Sequence, residues 1–238
     1  MIALITSSRF GGRLLESTFE QVVPNALPLG EIFRKNSRLS KRAELTLERY
    51  SDGLSIRLRE DPTAALEDLC DLDPNNDLLA RIHYYHIDRT SPVWGRIASR
   101  TRIIHVIRRN LFDAYVSHRI STDHGVWRIT NDASSTDLCG ENSLSISPSE
   151  VSRYIENRKS DVEWCRVTFS GAQYQEVYFE DIVISAGVRS SLISQCIGKD
   201  ILEDPISRSN QSSRIKTICN ADLISNYGAV AHLDRQHF

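Results

Sequence analysis

The residues at positions 7–13 combine guanidinium groups with glycines directly after an apolar run. Glycine removes the Cβ atom, so successive backbone N–H groups at Gly11 and Gly12 could converge on an anion at the start of a helix. Arg9 and Arg13 would add charge-assisted donors. The Gly-Lys-Ser/Thr ending of a Walker loop is absent, so the sequence predicts a phosphate-binding turn of another kind.

A second candidate anion site follows the apolar run at 103–107. Arg109 comes at the predicted strand end, Asn110 is a candidate helix N-cap, and Ser117 lies eight positions after Arg109. A guanidinium at a strand end and a hydroxyl on the next helix can bind two oxygens of one phosphate. The unpaired N–H groups of that helix would favour an anion too. The structural alternative is an ordinary strand-to-helix junction with exposed arginines.

These segments need a scaffold in which strands and helices alternate. Branched apolar runs predict strands, and spacing of 3.6 residues predicts helices between them. The predicted strands are 1–6, 78–86, 103–107 and 176–182, and the predicted helices include 14–23, 93–98, 111–121, one starting at 148, and 185–197. This order is typical of the α/β class with a mainly parallel sheet.

Composition narrows the function classes. The 238 residues are 40% hydrophobic and 25% charged, which suits one domain over 1–238. A formal charge of −2 gives no reason to expect nucleic acid, so any anion site must be local. The apolar start at 1–7 is too short to span a membrane. Five scattered cysteines indicate reduced thiols and a cytoplasmic protein.

Two histidines, His83 and His86, fall near the end of the predicted strand 78–86. A spacing of three residues on an extended segment points the side chains to opposite faces, so a shared metal is not expected. Glu31, in the segment 26–33, is by composition an ordinary solvated loop residue.

Three segments together resemble the sulfotransferases that use 3′-phosphoadenosine 5′-phosphosulfate (PAPS). The Ile-Arg-x-Asn segment with Arg109 and Ser117 resembles their 3′-phosphate site, and 9–15 resembles their 5′-phosphosulfate loop. Glu176–Ile182 resembles their Val-x-Tyr-Glu-Asp-Leu segment. The loop departs from the family where Phe10 and Gly12 replace hydroxyl residues.

The resemblance is greatest to the bacterial branch that sulfates carbohydrates and glycolipids, such as the trehalose and Nod-factor sulfotransferases. It implies a three-layer αβα, P-loop NTPase-like fold, PAPS as co-substrate, no metal, and a hydroxylated carbohydrate or glycolipid acceptor. It leaves a homodimer open. The glutamate after the first helix is the base of that branch, and Glu31 matches its position, with Arg81 or His83 as a polar counterpart.

The remaining roles also follow from the resemblance. Acceptor contacts would come from a helical region at about 37–75 and a polar lid loop at about 130–149. The donor nucleotide would be bound by residues of both turns and of a late loop: Arg9, Gly11, Gly12, Arg13, Arg109, Ser117, Arg208 and Arg214.

Two other functions stay open at this point. A nucleotide-dependent kinase would need a lysine in the first loop and an acid for magnesium, and the loop has no lysine. A non-catalytic nucleotide-binding or scaffold protein is consistent with a loop that has lost its hydroxyls.

Overall fold

The computed structural model describes residues 1–34, 43, 54–71, 77–123, 125, 143–198, 220–235 and 237–238. Arg208 and Arg214 lie outside the described residues, as do parts of the 37–75 region and of the 130–149 loop. The chain forms two compact units, Met1–Ile107 with Trp164–Arg208 (the first unit) and Arg108–Glu163 with Ser209–Phe238 (the second unit). The expected single domain stays a prediction.

The first unit is built on a parallel sheet of five strands in the order β2-β3-β1-β4-β5. The strands are β1 (Ile2–Thr6), β2 (Ala26–Gly30), β3 (Asp77–His83), β4 (Arg102–Ile107) and β5 (Tyr174–Tyr178). All residues of β1 are buried, so both faces of the sheet are covered at its centre. The predicted α/β class with a central parallel sheet is confirmed.

The helices of the described residues, in chain order, are α1 (Gly12–Val22), α2 (Leu54–Glu60), α3 (Pro62–Asp71), α4 (Val93–Arg100), α5 (Leu111–Asp123), α6 (Pro148–Thr168), α7 (Phe179–Ile182), α8 (Ala186–Ile197), α9 (Asn220–Leu223) and α10 (Tyr227–Val230). A 3₁₀ turn at Ala231–Leu233 follows. None of them combines the length and hydropathy that a bilayer crossing requires.

Helix α1 shows why the predicted pattern folds this way. It buries Leu15, Phe19 and Val22, which share one face at spacings of four and three residues. Burying each such side chain contributes about 1.5–3 kcal/mol. The opposite face carries the exposed Arg13 and Ser17, so packing of the apolar face fixes the direction in which the helix start points.

The segment 26–33 contains a strand that its sequence did not predict. Pro28 lies inside β2, where proline removes a ladder donor. β2 is at the edge of the sheet and pairs only with β3 among the described strands, so the missing donor is tolerated. Glu31 therefore follows a strand end directly.

The predicted strand 176–182 is partly wrong. β5 ends at Tyr178, opposite the last residue of β4, Ile107, and the chain continues as α7. Without a partner strand beyond Ile107, the extended ladder cannot continue. Glu180 and Asp181 therefore lie on a helical turn and do not alternate between the faces of a sheet.

The described cysteines give evidence on the state of the thiols but not on the predicted cytoplasmic location. Cys70, Cys165 and Cys196 form no disulfide bond with one another, and Cys139 and Cys219 lie outside the described residues. Burial raises the pKa of Cys196 to about 11, so this thiol is protonated at neutral pH. The location stays a prediction.

Candidate active site

Strand register brings a polar cluster together at the carboxyl edge of the sheet. Thr6, the last residue of β1, pairs with His83, the last residue of β3. Gly30, the last residue of β2, pairs with Ala80, so Glu31 follows directly beside Arg81. Ligands of open parallel sheets bind at this edge, outside the carboxyl ends of the strands.

Glu31 is the centre of this cluster. Its Oε1 lies 3.2 Å from an Arg81 guanidinium nitrogen and 3.8 Å from Nε2 of His83. Its Oε2 lies 3.4 Å from Arg34 and 3.8 Å from Nε2 of His86. The Glu31 side chain is 17% exposed, whereas that of Arg34 is 65% exposed. The carboxylate thus contacts Arg81 and both histidines on the protein side. On the solvent side it contacts the long, exposed side chain of Arg34.

Arg81 links this carboxylate to α1. The same guanidinium nitrogen lies 3.5 Å from Glu16, and the Arg81 side chain is only 14% exposed. Burial raises the pKa of Glu16 although Arg81 and a backbone hydrogen bond with Gly30 act in the opposite direction. Arg81 Nε is buried and has no hydrogen-bond acceptor among the described residues. One guanidinium therefore orders two carboxylates and keeps one donor unused.

The two histidines do not point to opposite faces, and this prediction was wrong. β3 ends at His83, and the chain turns before His86. The rings stack with centroids 4.6 Å apart and an angle of 13° between their planes. The backbone N–H of His83 donates to Nδ1 of His86 at 3.2 Å, which closes the turn.

Glu31, His83 and His86 also form the donor set of a candidate metal site, with ligand atoms within 4.8 Å of one another. An imidazole binds a metal in the plane of its ring, and Zn–N bonds are about 2.0–2.1 Å long. Two nearly parallel stacked rings cannot both place one ion in their planes. His86 Nδ1 already accepts a hydrogen bond, so in the neutral ring the proton occupies Nε2, the nitrogen that would be the ligand. The cluster is arranged for hydrogen bonding to the carboxylate.

The predicted phosphate loop of the first unit connects β1 to α1. Gly11 has φ of 84° and is the N-cap of α1, with no side-chain hydrogen bond to the helix start. A Cβ at Gly11 would lie 2.6 Å from Phe179, and one at Gly12 would lie 2.9 Å from Thr6. Both positions therefore require glycine for packing, and Gly11 has no side chain with which to cap the first-turn N–H groups. Arg9 also has a left-handed backbone, with φ of 67°, and Arg13 is exposed.

The predicted 3′-phosphate segment lies in the second unit, and its helix start is already capped. Asn110 accepts from the N–H of Asp113 at 3.1 Å, as predicted for an N-cap. His237 accepts from the N–H of Leu111 at 3.3 Å, and its own N–H donates to the carbonyl of Arg109 at 2.7 Å. The expectation of unpaired N–H groups here is wrong for these two donors, because Asn110 accepts from Asp113 and His237 accepts from Leu111.

Acidic groups also reach this second helix start. Asp113 lies in the first turn of α5, 3.7 Å from Arg108, and Asn110 donates to Asp234 at 2.9 Å. Arg109 and Ser117 are both half-buried. Their role at a 3′-phosphate stays a prediction.

Sequence reasoning missed part of the cluster around Glu31. The sequence pattern places Glu16 on a helix and His86 on a continuing strand. It therefore predicts no contact of either residue with Glu31. No spacing rule reveals a contact between residues 16, 31, 81 and 86, since it depends on the register of three strands. The only available indication was the concentration of polar side chains at predicted strand ends.

No protein-family model matches the sequence, and no curated protein matches it. Among solved structures, the chain is similar to a sulfotransferase domain from the curacin biosynthetic pathway. The identity is 15%, the TM-score is 0.47, and the match covers 86% of this chain and 75% of that one.

Proposed function

We propose that the chain transfers a sulfuryl group from PAPS to a hydroxyl of a carbohydrate or glycolipid, with Glu31 as the general base. The observation that carries this proposal is the position of Glu31. It lies at the carboxyl edge of the sheet, bound by Arg81, whose side chain also packs beside Gly12 at the start of α1. A base and an anion-binding helix start are thereby adjacent within one unit.

The start of α1 is suited to a phosphosulfate. Backbone N–H groups of the first turn carry the positive end of the helix dipole and have no side-chain cap at Gly11. Arg9 and Arg13 flank the turn and supply guanidinium charge. These donors would stabilise negative charge on the bridging oxygen as it leaves, which is the main electrostatic demand of the reaction.

The reaction balances with the residues of this cluster. The acceptor oxygen forms a bond to sulfur while the bond between sulfur and the bridging phosphate oxygen breaks. The acceptor proton passes to Glu31, and adenosine 3′,5′-diphosphate leaves with the electron pair of the broken bond. Positioning and electrostatics supply most of the acceleration in the related transfer of phosphoryl groups, and we expect the same here.

The acceptor class comes from the resemblance to the bacterial carbohydrate-sulfating branch. Arg109 and Ser117 are assigned to the 3′-phosphate on the same ground, as are Arg208 and Arg214.

A non-catalytic nucleotide-binding protein is the second candidate, and one observation favours it. Phe10, which replaces a hydroxyl residue in the loop, is fully buried and cannot contact a nucleotide.

Calorimetry and a transfer assay separate these two functions. We expect adenosine 3′,5′-diphosphate to bind the wild-type chain, and Arg109→Ala to weaken binding about tenfold, the equivalent of about 1.4 kcal/mol for a lost charged hydrogen bond. Arg96→Ala, at an exposed position of α4, is the matched control and should bind normally. A radiolabelled PAPS assay over sugars and glycolipids then tests turnover.

The outcomes are distinct. Binding with transfer to a sugar or glycolipid supports the enzyme, and binding without transfer to any acceptor supports the non-catalytic protein. Absence of diphosphate binding contradicts the nucleotide assignment itself.

A further inference from the structure

His86 contacts the proposed base from inside the protein. Its side chain is only 4% exposed, and Nε2 lies 3.8 Å from Oε2 of Glu31. The ring stacks on His83 at a centroid distance of 4.6 Å and meets the Tyr85 ring edge-on at 5.2 Å. These contacts on two sides fix the ring, so its direction toward Glu31 is set by packing.

The backbone fixes which nitrogen of His86 carries the proton. A main-chain N–H can only donate, so Nδ1, which receives the hydrogen bond from the His83 N–H, must be the acceptor nitrogen. In the neutral ring the proton therefore occupies Nε2, on the side of Glu31. His86 presents an N–H donor to the carboxylate.

The ring is neutral, as this role requires. Burial lowers the pKa of His86 to about 4, although Glu31 acts in the opposite direction; Arg34 and Arg81 lower the pKa further. A neutral donor orients a carboxylate without adding a full positive charge beside it. Among the described residues, the other charged or titratable groups around Glu31 are Glu16, which shares Arg81, and His83.

We propose that His86 is a positioning residue for Glu31, directing its Oε2 toward the acceptor hydroxyl. This inference rests on the proposed function. Arg81 holds Oε1, and the Nε2–H of His86 approaches Oε2 from the protein interior. The exposed Arg34 is the contact that an acceptor can displace, since it is 65% exposed and 3.4 Å away.

The proton balance follows from this arrangement. The acceptor O–H donates to Oε2 of Glu31 and loses its proton there as the new O–S bond forms. His86 keeps its own proton throughout. The separation of 3.8 Å is longer than a hydrogen bond, and we expect it to shorten when the acceptor binds, as catalytic contacts commonly do.

The test compares His86→Phe with His86→Gln. Phenylalanine keeps the stacking but has no donor, whereas the glutamine amide can present an N–H to the carboxylate. We expect His86→Phe to lower kcat roughly 10- to 100-fold with the KM for PAPS unchanged, as for a misplaced catalytic group. His86→Gln should recover much of the loss. His232→Gln, at an exposed histidine, is the matched control.

A second measurement does not need turnover. In ¹³C-carboxyl NMR of the free protein at neutral pH, loss of the donor should change the chemical shift of the Glu31 carboxyl carbon in His86→Phe, and change it less in His86→Gln. A purely structural role would change melting temperature without this ordered response. If the wild type transfers no sulfuryl group, the proposed function fails, whereas the NMR response still decides whether His86 orients Glu31.

Three results would overturn the inference. The first is a kcat for His86→Phe within twofold of the wild type. The second is an unchanged chemical shift of the Glu31 carboxyl carbon in both variants. The third is stoichiometric Zn²⁺ binding that both variants abolish, because Nε2 would then be a ligand and not a donor. If His86→Phe does not fold, the glutamine variant and the zinc titration still decide.

Discussion

Two histidine networks lie in the first unit, and they differ in how completely their polar atoms are satisfied. The buried network centres on His105 of β4, which is 0% exposed. Tyr84 O–H lies 2.6 Å from its Nε2, and Tyr174 O–H contacts its Nδ1. In the edge cluster the contacts of Glu31 are 3.2–3.8 Å long, and one of them comes from the exposed side chain of Arg34.

The buried network continues from His105 through Tyr174 to Glu176 and Arg166. Tyr174 O–H donates to Glu176 at 2.9 Å, and Arg166 donates to both Glu176 oxygens at 2.7 and 3.0 Å. Burial raises the pKa of Glu176, but the bonds from Arg166 and Tyr174 outweigh it, and the net pKa is lowered. This closed network of short hydrogen bonds stabilises the fold.

The two networks show which part of the sheet can carry out chemistry. Tyr84 and His83 are neighbours in the sequence, yet Tyr84 serves the closed network and His83 the open cluster. Burial makes both His86 and His105 neutral, with pKa values lowered to about 4 and about 3. Neutrality is therefore common to both networks, and the longer contacts of Glu31 together with the unused Nε donor of Arg81 distinguish the edge cluster.

The largest expected effect separates the two networks by activity. Glu31→Gln should reduce sulfuryl transfer by about 10²–10⁴-fold, the usual contribution of a general base. Diphosphate affinity and the denaturation midpoint should stay near those of the wild type. Steady-state kinetics with calorimetry checks this, with Glu156→Gln, an exposed glutamate of α6, as control. Full turnover in Glu31→Gln would remove the base assignment.

The second prediction tests stability. His105→Leu removes both ring nitrogens and leaves the Tyr84 hydroxyl, in a residue only 3% exposed, without its acceptor. An unsatisfied buried polar group costs about 1–3 kcal/mol, so the free energy of unfolding should fall by at least that amount. Urea denaturation measures it. An unchanged midpoint would show that the buried network does not stabilise the fold.

The third prediction concerns pH. The folded pKa of His105 is lowered to about 3, below the ordinary value of 6.5, because burial disfavours the charged ring. The unfolded chain therefore binds a proton that the folded chain does not, and stability falls as pH drops from about 6.5 toward about 3. The slope approaches about 1.4 kcal/mol per pH unit for one proton.

The matched variant for this pH dependence is His105→Gln, which has no titrating ring. Its free energy of unfolding should fall less steeply over the same pH range. Lowered pKa values of His86 and Glu176 act in the same direction, so part of the slope will persist. Identical slopes in the variant and the wild type would contradict the assignment to His105.

The smallest expected effect is at the exposed rim of the edge cluster. Tyr85 is 58% exposed, and its hydroxyl lies 2.6 Å from Nδ1 of His83. Tyr85→Phe should change the free energy of unfolding by no more than about 0.5 kcal/mol, as for a surface substitution. Tyr84→Phe is the buried counterpart and should cost about 1 kcal/mol. Equal effects in thermal denaturation would erase the distinction between the two networks.

The sequence alone determined the α/β class, the first helix with its glycine turn, and the Asn110 cap, because these depend on local pattern. Apolar runs, 3.6-residue spacing and the conformational freedom of glycine act within a few residues. The sequence did not predict the strand β2 around Pro28 or the early end of β5, because edge position and strand pairing are not local properties.

The groups that surround Glu31 are determined by the tertiary structure and not by local sequence. Parallel strands are joined by long crossovers, so their register is set by packing of the whole sheet and not by neighbouring residues. That register brings Glu16, Glu31 and Arg81 together and lets the chain turn after His83 so that His86 faces the carboxylate. It also places Tyr84 against His105, which closes the second network.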